Sequence, residues 1–164
     1  MAHESSQRTV WVRRMALLIA VLLYLALALA QLELPGLHYD EAKEAGVNAL
    51  EMLQRQDVQA FRSSGVQIGA LFLPLMVQDY IGALNVYLAL PLLALLGVTV
   101  PALRLLGVAC GLATLLLVWG LGRELSRRAR ADSPAAAGWT GEIAALLLAV
   151  NPTFAFWSRQ GIFV

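Results

Sequence analysis

The chain has 164 residues, 59% of them hydrophobic and 14% charged, with a formal net charge of +1. A soluble domain averages roughly 45–50% apolar and about 25% charged residues, so the composition is that of a membrane protein. A net charge of +1 says nothing about partners, and with no basic, aromatic-interleaved stripe nothing in the sequence points to nucleic acid; the single cysteine, Cys110, excludes an intrachain disulfide.

Residues 1–14, "MAHESSQRTVWVRR", are polar and then basic. The apolar run "MALLIAVLLYLALALA" with "QLEL" extends to residue 34, enough for a bilayer crossing of about 17–25 residues. An uncleaved anchor is expected because further apolar segments follow. A signal peptide is the competing reading, with Arg13 and Arg14 as its basic start and "ALA" at 28–30 as its cleavage site. Both readings send residue 35 onward to the non-cytoplasmic side. "PG" at 35–36 breaks the helix, and residues 40–55 read as an amphipathic helix with Ala42, Ala45, Ala49, Leu50 and Leu53 on one face. Such a helix suits a position along the membrane surface. Glu51 and Arg55 form a favourable i,i+4 pair on it. Residues 57–79 are mixed, with "RSSG" and "QIG" as loops.

Three apolar segments follow, at 80–98, 102–121 and 142–157. Between the last two lies the densest positive cluster, Arg123, Arg127, Arg128 and Arg130. Short loops rich in Lys and Arg stay in the cytoplasm, as does the basic N-terminus. Both ends satisfy this rule if 80–98, interrupted by Gly82, Asn85, Pro91 and Gly97, lies in the outer leaflet instead of crossing. Its length also permits an ordinary span. With three crossings, "SRQG" at 158–161 emerges on the same side as "YDE" at 39–41.

The order of these segments carries a resemblance. "YDEA" opens a horizontal helix after the first span. Then come "YIGALNVYLALPLLALLG", "VPALRLLGVACGLATLLLVWGLGREL" and "AALLLAVNPTFAFWSRQGIF". The pattern resembles the N-terminal part of membrane glycosyltransferases of the GT-C class, nearest to the protein mannosyltransferase and aminoarabinose transferase group (glycosyltransferase family 39), over roughly residues 15–164. The resemblance implies an all-α membrane protein with about three transmembrane helices and two membrane-lying helices in the first outer loop. Its implied parts are a cytoplasmic tail 1–14, spans at 15–34, 102–121 and 142–157, an outer loop 35–101 and a cytoplasmic loop 122–141. Residues 158–164 would start a second outer segment of a longer chain, and the isolated chain is expected to be inactive.

The implied reaction moves a sugar from a polyprenyl-phosphate donor to a hydroxyl of a protein, lipid or glycan acceptor, outside the cell membrane. Asp40 matches the family's acidic residue, and Glu41 stands beside it as a second candidate catalytic group. Many members carry a lysine near the start of the second loop helix, where this chain has Ile81 in "YIGAL". Arg159 is then the candidate for the donor phosphate, since guanidinium binds phosphate in a bidentate way. His38 and Tyr80 complete the expected substrate contacts. A divalent metal is a possible cofactor, although two adjacent acids are far from a full ligand set. Simpler roles stand beside these: Asp40 as a helix N-cap, Glu41 as a partner of the helix dipole and Arg159 as a snorkelling anchor. The alternative function is that of a non-catalytic multi-span protein, such as part of a transporter or an assembly subunit.

Overall fold

With neither glycine nor proline to interrupt it, the stretch Ala2–Leu29 forms one helix of 28 residues, α1. The computed structural model describes residues 2–34, 36–54, 58, 60–79, 81–132 and 138–160. It is mostly helical, with seven α-helices among these residues. Two helices are long and apolar enough to cross a membrane, at Thr9–Leu29 and Val100–Ala129. A third crossing is present if one bent helix pair counts as a single span. The protein thus has the makings of an integral membrane protein. The chain divides into two compact units, residues 1–30 with 109–158, and residues 31–108 with 159–164.

In the first unit, α1 buries Ala20, Tyr24 and Ala28, one residue per turn along a single face. Leu18, Leu22, Leu23 and Leu27 point away from protein, as a lipid-facing stripe would. The unit also holds the later part of α5 (Val100–Asp132), α6 (Thr140–Ala149) and α7 (Pro152–Ser158). Small residues let these helices approach closely, which matters where lipid offers no hydrophobic drive for helix association. A Cβ on Gly122 would lie 2.7 Å from the Gly141 Cα, and one on Gly141 would lie 2.5 Å from the Trp119 carbonyl oxygen. At Gly111 a Cβ would strike the Tyr24 hydroxyl and Ser158.

Two boundaries differ from the sequence reading. The arginine cluster is not a loop at its start, because α5 continues through it to Asp132. Glu124 accepts from Arg127 at 2.8 Å and from Arg128 at 2.9 Å, and such i,i+3 and i,i+4 pairs favour the helix. The segment 142–157 is not straight either. α6 and α7 meet at a 68° bend, where Pro152 lacks the N–H needed to continue α6. Asn151 Oδ1 accepts from Phe154 N at 2.9 Å and caps the new helix.

The second unit contains α2 (Tyr39–Glu41), five residues of π-helix (Ala42–Gly46), α3 (Val47–Leu53), α4 (Leu84–Leu96) and the start of α5. Its core is Ala45, Ala49, Val86, Ala89, Leu93, Ala102 and Leu103. Of the apolar face expected for 40–55, Ala45 and Ala49 pack in this core, Ala42 and Leu50 are half-buried and Leu53 is exposed; Arg55 lies outside the described residues. Within 57–79, which reads as mixed with loops at "RSSG" and "QIG" in an all-α protein, the chain forms a hairpin of β1 (Gly65–Ile68) and β2 (Leu71–Pro74), antiparallel, with Val66 opposite Leu73 and Gln67 opposite Phe72. Gly69, at φ +62°, supplies the left-handed residue of its two-residue turn. The Tyr87 hydroxyl donates to the Pro74 carbonyl and ties α4 to the hairpin.

The close approach of α5 and α6 is open to direct test. Gly122→Val should destabilise the protein by about 1–3 kcal/mol, lowering its melting temperature in detergent. Gly120→Val, two residues away on a face with nothing within 4 Å, should change it little.

Candidate functional site around the YDE helix

The segment "HYDE" folds as a helix start two residues earlier than an Asp40 cap would require. His38 is the N-cap: its Nδ1 accepts from Asp40 N at 3.3 Å, and Glu41 Oε2 accepts from His38 N at 2.9 Å. This is a capping box with histidine in place of the usual Ser or Thr. Asp40 is relieved of capping, and its side chain is 49% exposed. Asp40 Oδ2 also lies 3.6 Å from His38 Nδ1. The nitrogen has one lone pair, so it either accepts the amide hydrogen and caps the helix, or carries a proton and pairs with the carboxylate.

Glu41 is fully buried, and so is Arg104 on α5, 1% exposed. Arg104 Nε donates to Glu41 Oε1 at 2.9 Å and Nη2 to Oε2 at 2.8 Å, a bidentate pair. The remaining donors reach the backbone: Nη1 to the carbonyls of Leu32 (2.8 Å) and Leu34 (3.4 Å), and Nη2 to that of Gly36 (3.2 Å). A guanidinium has five N–H donors, and each has an acceptor here. Sequence reading named the acid of this pair and missed the base. The signal was present: an arginine inside an apolar segment demands a buried partner.

Two depressions adjoin the same helical segment. One is an apolar groove of about 210 Å³, lined by Leu37, Val47, Leu50, Leu93 and Leu103 among others. The other is a polar recess of about 330 Å³, lined by Lys43, Phe61, Arg62, Gln78 and Asp79. Arg62 and Ser63 both sit at positive φ, 50° and 56°, a conformation uncommon outside glycine. Lys43 follows Asp40 by three residues, which places the two on neighbouring positions of the helix surface.

Of the other expected site residues, Arg159 donates from Nη2 to the Gln31 carbonyl at 2.8 Å, next to the Leu32 carbonyl that Arg104 holds. Gln31 has φ 50°, the left-handed turn that ends α1. Tyr80 lies outside the described residues. Among the described residues, no group of three or more His, Cys, Asp or Glu side chains is arranged to hold a metal ion. Both carboxylate oxygens of Glu41, the acid beside Asp40, accept from Arg104. No protein-family model, characterised protein or solved structure matches this chain.

Removing one member of the buried pair strands the other charge. Arg104→Leu or Glu41→Leu alone should each cost about 3–5 kcal/mol. The double variant should lose less than the sum of the two, a coupling that thermal unfolding in detergent would measure. Arg104→Lys should recover only part of the loss, because an ammonium cannot span acceptors on Leu32, Leu34, Gly36 and Glu41.

Proposed function

We propose that the chain is part of a lipid-linked sugar transferase of the GT-C kind, with Asp40 as the general base. In this reading an acceptor hydroxyl oxygen bonds to the anomeric carbon of the donor sugar. The bond from that carbon to the phosphate oxygen breaks, and the polyprenyl phosphate leaves with the electron pair. The hydroxyl proton passes to an Asp40 carboxylate oxygen. Direct displacement of this kind inverts the sugar carbon.

One observation carries the reading. Of two adjacent acids, Glu41 is wholly engaged with Arg104, while Asp40 is excused from capping and left half-exposed. The surroundings agree in chemistry. The recess with Lys43 and Arg62 has the cations that a sugar phosphate requires, and the apolar groove along the same helix suits a polyprenyl chain. Lys43 and Arg62 thus offer what the missing lysine at Ile81 would supply. Arg159 is a further phosphate contact in this reading, and His38 and Tyr80 meet the substrate. Glu41 acts here through Arg104, as a positioning residue.

The proposed topology places the N-terminus in the cytoplasm and the YDE helix outside the cell membrane. The crossings are α1, α5 and the bent α6–α7 pair. α4, with 13 residues, is about 20 Å long. That is short of the roughly 30 Å hydrocarbon core, which supports a helix lying in the outer leaflet.

In the full-length context, Asp40→Asn should lower sugar transfer from a polyprenyl-phosphate donor by roughly 10²–10⁴-fold, measured in membranes of cells expressing the protein. Because His38 caps the helix, Asp40→Ala should do the same with little change in protein level or melting temperature. Near-normal transfer by both variants would sink Asp40 as the base, whereas absence of transfer by the unsubstituted protein would favour the non-catalytic alternative. Topology is checked separately, in a Cys110→Ala background, with cysteines at Ser63 and Arg128. An impermeant thiol reagent on intact cells should label the Ser63 site and spare the Arg128 site; the reverse pattern overturns the proposed orientation.

A further inference from the structure

Within the first unit, a cavity of about 420 Å³ opens at the arginine-rich end of α5, lined by Arg13, Trp119, Arg123, Glu124, Ser126 and Arg127 among others. Behind its wall lie polar atoms with no hydrogen-bond partner among the described residues: the hydroxyl of Ser126, a residue only 7% exposed, Arg13 Nε, Trp119 Nε1 and Glu142 Oε2. Buried polar atoms without partners are rare in native proteins; the first three can donate a hydrogen bond and the last is a carboxylate oxygen that accepts.

The charges are uneven. Glu124 is occupied by Arg127 and Arg128. Arg13 Nε lies 3.5 Å from Glu142 Oε1, an ion pair without hydrogen-bond geometry. Arg123 stacks over the Trp119 ring, 4.9 Å from its centroid, and makes no ion pair among the described residues. The cavity therefore offers spare guanidinium charge at the polar end of an apolar helix, with an unpartnered indole N–H and hydroxyl just behind its wall.

We propose that this cavity binds a phosphate-bearing anion, which in a membrane is the headgroup of an anionic phospholipid. Phosphate presents several acceptor oxygens at once, matching a guanidinium together with two neutral donors. Basic pockets between transmembrane helices at the membrane boundary take such headgroups. The assignment is independent of Asp40 and of any transfer reaction.

The test titrates the detergent-purified 164-residue chain with phosphatidylglycerol, phosphatidylcholine or inorganic phosphate, reading tryptophan emission. Phosphatidylglycerol should shift the emission and phosphatidylcholine should not, and Trp119→Phe should abolish the shift. Arg123→Gln should weaken binding about tenfold, the loss of one charge-assisted hydrogen bond. Arg128→Gln, outside the cavity wall, should change it less than twofold. Ser126→Ala should weaken binding severalfold, and it serves if Arg123→Gln fails to fold. Competition by inorganic phosphate would support the phosphate site and assign it a soluble ligand as well. Equal responses to both lipids without phosphate competition would overturn the proposal. So would equal weakening by Arg123→Gln and Arg128→Gln, since the arginines would then act as diffuse surface charge.

Discussion

One guanidinium organises the second unit. Arg104 joins α5 to the buried carboxylate of Glu41 and to the carbonyls of Leu32, Leu34 and Gly36. Removing both charges from water costs several kcal/mol per ion, which is recovered only when the geometry is good and the other donors are satisfied. Both conditions hold. The pair therefore determines how the chain leaves α1 and where the next helix begins. Apolar residues at these positions could bury as much surface, but they would leave the carbonyls without Arg104 as donor and the exit path unspecified.

The start of that helix shows how one local choice sets the chemistry available nearby. With His38 as cap and Glu41 as its reciprocal partner, the first turn needs nothing from Asp40. The carboxylate stays at the surface of a helix that has an apolar groove along it and a cation-lined recess beside it. The helix is held from behind by small residues, Ala45 and Ala49, packed with Val86, Ala89 and Leu103. A side chain supported in this way is better suited to meeting a ligand than one on a free loop.

The first unit is built on different terms. Glycines at 111, 122 and 141 bring helices to near-backbone contact, while the leucines of α1 remain outward. In the sequence of α5 no charge falls from Leu105 to Gly122, and four arginines follow.

What the sequence determined by itself was what depends on composition and short spacing. Long apolar runs marked α1 and α5, because length and hydropathy alone decide whether a segment can cross a bilayer. The apolar period of 40–55 marked a helix with one buried face, and adjacent acids after an apolar run marked the place to look. Other features rest on weaker local signals. The hairpin at 65–74 was legible in principle, as alternating "VQIGALFL" around a glycine turn, but its strands are four residues each and read as loop. His38 is a poor cap on propensity alone, so Asp40 looked the better one; Glu41, fixed from outside the segment, tipped the choice. Tertiary structure alone decided that the two acids part company, one sealed with Arg104 and the other left exposed. Residues 41 and 104 are 63 positions apart, and an ion pair at that separation leaves no periodicity behind. It exists because a low-dielectric interior makes a lone charge costly, and the fold brings the only buried carboxylate and guanidinium of the second unit's described residues together.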